Sequence, residues 1–157
     1  MIERPTKRWS DEAAKEEEAI IAGTLDPAKA STRMHWPVEF RAAVDSALDA
    51  YEAEVLRLED PSDDEVLAAV KHVVEQLNDV DHEFQLIYTG EREELGEYID
   101  VVLINAGIDI DALASRNNIS DLTEVGPRYW SLRRWRRRSA RCAVTIPAGG
   151  SVESSSS

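Results

Sequence analysis

The sequence predicts a small, mostly α-helical domain, and three stretches carry that prediction. Phe40, Val44, Leu48, Tyr51, Val55 and Leu58 recur at alternating intervals of three and four residues, as one face of an amphipathic helix requires. After a short connection, Val66, Val70, Val73, Val74 and Leu77 form a second stripe of the same kind. Two amphipathic helices so closely joined pack antiparallel, which predicts an αα-hairpin over 37–77. The most apolar run of an otherwise acidic chain, E-R-E-E-L-G-E-Y-I-D-V-V-L-I-N-A-G-I-D-I, then covers 91–110, and the core is expected to form around it.

Taken in order, residues 1–8 are expected to be loose. Ser10 can cap a short helix over 11–22 that carries Asp11 and Glu12 in its first turn and is ended by Gly23. Its apolar face (Ala13, Ala14, Ile20, Ile21) is thin, and the Lys-Glu-Glu-Glu run over 15–18 reads as a solvated face. Asp26-Pro27 pairs a cap with a first-turn proline and predicts a single turn. Residues 30–35 read as linker. Pro37 suits the first position of the hairpin's first helix, and Glu59-Asp60-Pro61 stops it. Ser62-Asp-Asp-Glu65 is a capping box for the second helix.

Asn78 to Asp81 breaks the second stripe. Phe84, Leu86 and Tyr88 alternate without an evident partner strand, so 83–88 is left open between a helical turn, a strand and an extended connector. For the central run, Thr89 is an available cap, Glu91, Glu93 and Glu94 oppose the positive end of the helix dipole, and Leu95, Tyr98, Ile99, Val102, Leu103 and Ala106 follow at helical spacing. Gly107 suits the left-handed residue beyond the last turn, with Ile108 folding back onto Leu103. A helix over 91–106 explains these features together; a buried strand explains only the β-branched stretch. Asp109 can cap a short helix over 110–116, Asn117-Asn118 is a turn, and Gly126-Pro127 ends any helix opened by Ser120 or Asp121. The chain divides on this basis into an N-terminal helix and linker (1–36), a helical core (37–127) and a basic, aromatic segment running into a tail of disordered composition (128–157).

Composition narrows the function classes. No stretch approaches the roughly 20 apolar residues that span a bilayer, and the N-terminus carries no apolar signal region, so the protein is expected in the cytoplasm. Cys142 is the only cysteine, which excludes an internal disulfide and a cysteine-based zinc site. The net charge of −13 hides a division: residues 1–127 carry 30 acidic and 11 basic side chains, a net of −19, whereas 128–157 carry 1 acidic and 7 basic, a net of +6. The body repels polyanions, and the C-terminal segment attracts them.

Several motifs suggest chemistry. D-V-V-L-I-N-A-G-I is similar to the Asn-Ala-Gly strand of short-chain dehydrogenases, with Thr89-Gly90 upstream. The glycines after Gly90 do not fit that family's turn, however, and Tyr98 and Tyr129 are followed at the catalytic spacing by Val102 and Arg133 rather than lysine. Glu93, Glu97 and Asp100 share one face of the central helix. With G-I-D-I-D-A-L-A they resemble the second metal motif of the all-α nucleotide pyrophosphohydrolases of the MazG type, which implies Mg²⁺ on those three carboxylates. Glu52, Glu54 and Glu59 lack the E-x-x-E spacing that the family places on an earlier helix. His72-x-x-Glu75 reverses the order used by di-iron bundles, and an EF-hand loop from Asp79 would meet Phe84 where glycine is needed. L-A-S-R-N-N-I-S-D-L-T-E-V, over 113–125, resembles a degenerate helix-turn-helix with Asn118 at the turn position. Behind it Trp130, Arg133, Arg134, Trp135, Arg136, Arg137 and Arg138 interleave stacking and cationic groups suited to nucleic acid or an anionic membrane, or alternatively to packing Trp130, Leu132 and Trp135 on the domain with the arginines against its own acidic face.

The layout as a whole predicts a non-catalytic, acidic interaction protein that binds a basic protein partner, as antitoxin or immunity-type inhibitors and regulatory adaptors do. No cofactor and no metal are expected on this reading. Nucleic-acid binding through the helix-turn-helix and the arginine segment, and Mg²⁺-dependent nucleotide pyrophosphohydrolysis at Glu93, Glu97 and Asp100, are the alternatives.

Overall fold

The structure, a computed structural model, describes residues 3–118. Among them it contains six α-helices, one 3₁₀ turn (Pro27–Lys29) and no strand: α1 Pro5–Ile21, α2 Thr32–His35, α3 Val38–Leu56, α4 Asp63–Phe84, α5 Thr89–Asn105 and α6 Ile110–Arg116.

The hairpin forms as its two stripes dictate. Helices α3 and α4 make the most extensive pairing in the molecule. Phe40 at the start of α3 meets Phe84 at the end of α4, with ring centroids 5.7 Å apart, so the two run antiparallel. Phe40, Val44, Leu48, Tyr51 and Val55 from α3 interlock with Val66, Val70, Val73, Val74 and Leu77 from α4, all buried. The capping box is in place: Ser62 donates its backbone N–H to Glu65 at 2.8 Å, and Ser62 Oγ accepts from the Glu65 N–H at 3.3 Å.

Helix α5 closes the core from the side. Leu95, Ile99 and Leu103 are fully buried, and the Tyr51 hydroxyl donates to the Ile99 carbonyl at 2.9 Å, tying α3 to α5. Its C-terminus has the expected form: Gly107 sits at φ 85°, its N–H bonds Ile104 O at 2.9 Å, and the Ile108 N–H bonds Leu103 O at 3.0 Å. Asp109 caps α6 through the Ala112 N–H at 3.0 Å, and Leu113 and Ala114 seat α6 on the core.

Several expectations are corrected, and the open reading of 83–88 is resolved: residues 32–35, expected as linker, form α2, and Pro37 is the cap rather than the first residue of α3. Residues 5–8 are helical rather than loose, because α1 begins at Pro5, more than a turn before Ser10, and buries Pro5, Thr6 and Trp9. Trp9 lies in the same core cluster as the hairpin. Asn78 to Asp81 does not interrupt α4, which runs on because Val80 and Phe84 continue its stripe beyond Leu77 and pack on the core. Over 83–88 the chain leaves α4 through Gln85, at φ 56°, and becomes an extended connector; Ile87 is the buried residue there, while Tyr88 points outward. Tyr88, not Thr89, is the cap residue of α5, and Ala106 is exposed. The segment 119–157, which includes the expected disordered tail and the arginine cluster, lies outside the described residues.

Candidate functional site

The side chains that hold α1 against α3 and α5 form the richest polar constellation in the structure. Arg4, at the N-cap of α1, reaches three carboxylates of α3: Nε to Glu52 at 3.0 Å, one terminal nitrogen to Asp49 at 2.6 Å, and the other to Asp45 at 3.5 Å. These acceptors lie three or four residues apart, so α3 presents them as one ladder. Thr6 Oγ1 donates to Asp45 and the Tyr98 hydroxyl donates to Glu52, both at 2.5 Å. One turn along α1, Arg8 pairs with Glu12 and Glu94, and Trp9 Nε1 donates to Glu94 at 3.0 Å.

Beside these ion pairs stands an aromatic stack. The Trp9 ring is sandwiched between Trp36 (centroids 5.8 Å apart, planes at 12°) and Phe40 (5.7 Å, 15°), and Phe40 meets Phe84 edge-on. The Arg8 guanidinium lies 5.4 Å from the Trp36 ring centroid. Trp36 Nε1 donates to Glu91 at 3.1 Å, and Glu91, itself buried, also accepts the Tyr88 N–H at 3.1 Å. An indole withdrawn from water requires an acceptor, and two glutamates from the acidic start of α5 serve the buried Trp9 and the half-buried Trp36.

Three groups of this site have fixed charge states. Burial pulls Arg4 and Arg8 down, but hydrogen bonds to Glu52 and Asp49 for Arg4, and to Glu94 and Glu12 for Arg8, outweigh it and leave both above the ordinary arginine value. Burial, with the hydrogen bond to Glu52, raises the Tyr98 hydroxyl above the usual phenol value. Arg4 and Arg8 are thus permanent cations and Tyr98 a neutral donor. Such groups bind and orient; none of the three exchanges a proton near neutral pH.

Two open clefts flank Arg4. The larger, about 1180 Å³, has an ionic end at Arg4, Lys7, Asp11, Asp45 and Glu52 and an apolar end at Val55, Leu56, Val102 and Ala106. The smaller, about 380 Å³, runs past Arg8, Glu94, Glu97 and Val101.

The residues singled out from the sequence are distributed differently. Glu93, Glu97 and Asp100 all lie on α5, half-buried, exposed and half-buried respectively. No group of three His, Cys, Asp or Glu side chains among the described residues is arranged to hold a metal ion. His72 is bonded to Glu54 across the hairpin at 2.9 Å, and Asp81 accepts the Ile87 N–H and an Arg92 guanidinium. In the helix-turn-helix-like stretch, α6 and the turn are formed, and Asn118 takes the left-handed conformation, φ 54°, expected of the turn position. The rest of that stretch, and Trp130, Arg133, Arg134, Trp135, Arg136, Arg137 and Arg138, lie outside the described residues. From the sequence Glu91 and Glu94 are legible only as the acidic start of α5; their role as indole acceptors was missed, although the demand of two tryptophans for acceptors was a signal that could have found it. No helix among the described residues is long and apolar enough to cross a membrane. No protein-family model matches the chain, and no match emerged among curated proteins or solved structures.

Proposed function

We propose that this chain is a non-catalytic acidic interaction protein whose ligand is a basic protein, in the manner of an antitoxin or immunity-type inhibitor or a regulatory adaptor acting in the cytoplasm. The observation that supports it is the disposition of charge. Residues 3–118 hold 28 acidic and 11 basic side chains, a net of −17. Arg4, Lys7, Arg8, Arg33, Lys71, Arg92 and Arg116, seven of those eleven cations, are already committed to internal ion pairs. With most of its cations so engaged, the body keeps a surplus of carboxylates, and its net of −17 is a field that attracts and steers a cationic protein.

The test is affinity capture from the native host, identification of the captured protein, and reconstitution from two purified components. The reading expects a basic partner that binds one-to-one, with affinity falling as salt rises. It fails if the purified chain instead hydrolyses a nucleoside triphosphate with Mg²⁺ and loses that turnover in Glu97→Gln.

One observation favours a second reading, nucleic-acid binding through 113–138: the left-handed Asn118 at the turn position directly behind α6. Salt-sensitive binding of duplex DNA by the full chain, lost on deletion of 128–157 with the melting temperature unchanged, would select it.

A further inference from the structure

Three observations converge on the larger cleft. Its apolar end is uncovered: Leu56 is 83% exposed although Val55, Val102 and Ala106 line the same depression. The chain also leaves the described body at this end. Arg116 grips Asp63 at 2.8 and 2.9 Å and the Asn117 amide grips it at 3.0 Å, so Asn118 emerges beside the α3–α4 connection. Asp63 follows Leu56 by seven residues, a span of at most about 25 Å, whereas the twelve residues from Asn118 to Trp130 can extend roughly 40 Å. Finally, the rim carboxylates Glu3, Asp11, Asp45 and Glu52 outnumber the cations Arg4, Lys7 and Arg41 by one; Arg4 and Lys7 already pair with all four, and the wider attraction comes from a body that carries −17.

We infer that this cleft is the docking site of the chain's own segment 128–141. Trp130, Leu132 and Trp135 cover the floor at Leu56 and Val102, and the interleaved arginines reach the carboxylates of the rim and of the surrounding surface. A tryptophan beside an arginine is already the device that seats α1, where Trp9 fills the core and Arg8 takes Glu94. The inference does not depend on the basic partner proposed above, because it concerns contacts within a single chain.

Cys142, the only cysteine, directly follows the segment and allows a nitroxide to be attached without mutation. In the ¹⁵N-labelled full chain, amide signals of Leu56, Val102 and Ala106 should lose most of their intensity relative to the reduced label. Glu39 and Glu83, at the opposite end of the hairpin, should keep theirs. Leu56→Ser alters an exposed residue, so the fold should persist while the selective loss disappears. Equal intensities at both ends of the hairpin would overturn the inference and leave the cleft to an external ligand. Selective loss that appears only when the nitroxide is on a second, unlabelled copy would also overturn it, in favour of an intermolecular contact.

Discussion

Trp9→Ala is the most direct probe of how the N-terminal helix belongs to this fold. Trp9 is fully buried, stacked between Trp36 and Phe40 and hydrogen-bonded to Glu94. Removing a buried tryptophan costs about 3–5 kcal/mol. The two ring contacts account for roughly 0.5–1.5 kcal/mol each within that total. The lost indole N–H adds less, since Glu94 keeps Arg8 as a partner. The midpoint of urea unfolding should fall accordingly, and the melting temperature should drop by roughly 10–20 °C at a few degrees per kcal/mol. Trp9→Phe keeps one aromatic ring in the stack but discards the N–H and the rest of the indole, so its cost should fall below the alanine variant's. A Trp9→Ala cost below about 1 kcal/mol would mean that α1 is not docked on the core, and the argument from the stack would collapse.

Other perturbations test other links. Leu103→Asp buries an unpaired charge at a fully buried position of α5 and should abolish the cooperative thermal transition followed by circular dichroism. Gly107→Ala meets nothing within 4 Å, so its cost should be only the roughly 1–2 kcal/mol of holding an L-residue at positive φ, read by denaturant titration. Asp63 is held below its ordinary value of 3.8, first by the hydrogen bond from Arg116. Its contribution to stability is therefore complete above pH 3.8 and vanishes as pH falls through the lower folded value, so Asp63→Asn should flatten the acid limb of a stability–pH curve in that window. Added NaCl should raise the melting temperature of a 1–127 fragment, with its −19, more than that of the full chain with its −13.

The parts of the fold that were legible in the sequence are those whose cause is local. The stripes of α3 and α4, the Ser62–Glu65 box, the Gly107 stop and the Asp109 cap each depend on residues within one or two turns of one another. What escaped depends on distant partners. Asn78, Asp79 and Asp81 look like a helix break by propensity, yet tertiary packing of Val80 and Phe84 overrides a penalty of a few tenths of a kcal/mol per residue. The Pro5 start of α1 carried a local signal, a proline at the first helical position, but the worth of that turn lies in Trp9, Arg4 and Arg8. Their partners on α3 and α5 are between 31 and 86 residues away. The candidate site was illegible for the same reason: no spacing rule joins Arg8 to Glu94.

The attachment of α1 also bears on how the surface is used. Only Pro5, Thr6 and Trp9 of its seventeen residues are buried, so apolar area alone does little to seat it. Its ion pairs are partly exposed (27% for the Arg4 side chain and 43% for Arg8), and pairs of that kind contribute about 0–1 kcal/mol each. Trp9 therefore supplies most of the binding free energy, while Arg4 and Arg8, reaching carboxylates on two different helices, fix which way the helix lies. The same arrangement consumes cations on the inward side of α1 and leaves Glu17 and Glu18 on its outer surface, where only Arg33 answers Glu17. Along α4, Lys71 is likewise spent on Glu75, so the net negative charge rests on the carboxylates that these pairs leave over. The basic ligand proposed above would meet the carboxylates that these cations leave over.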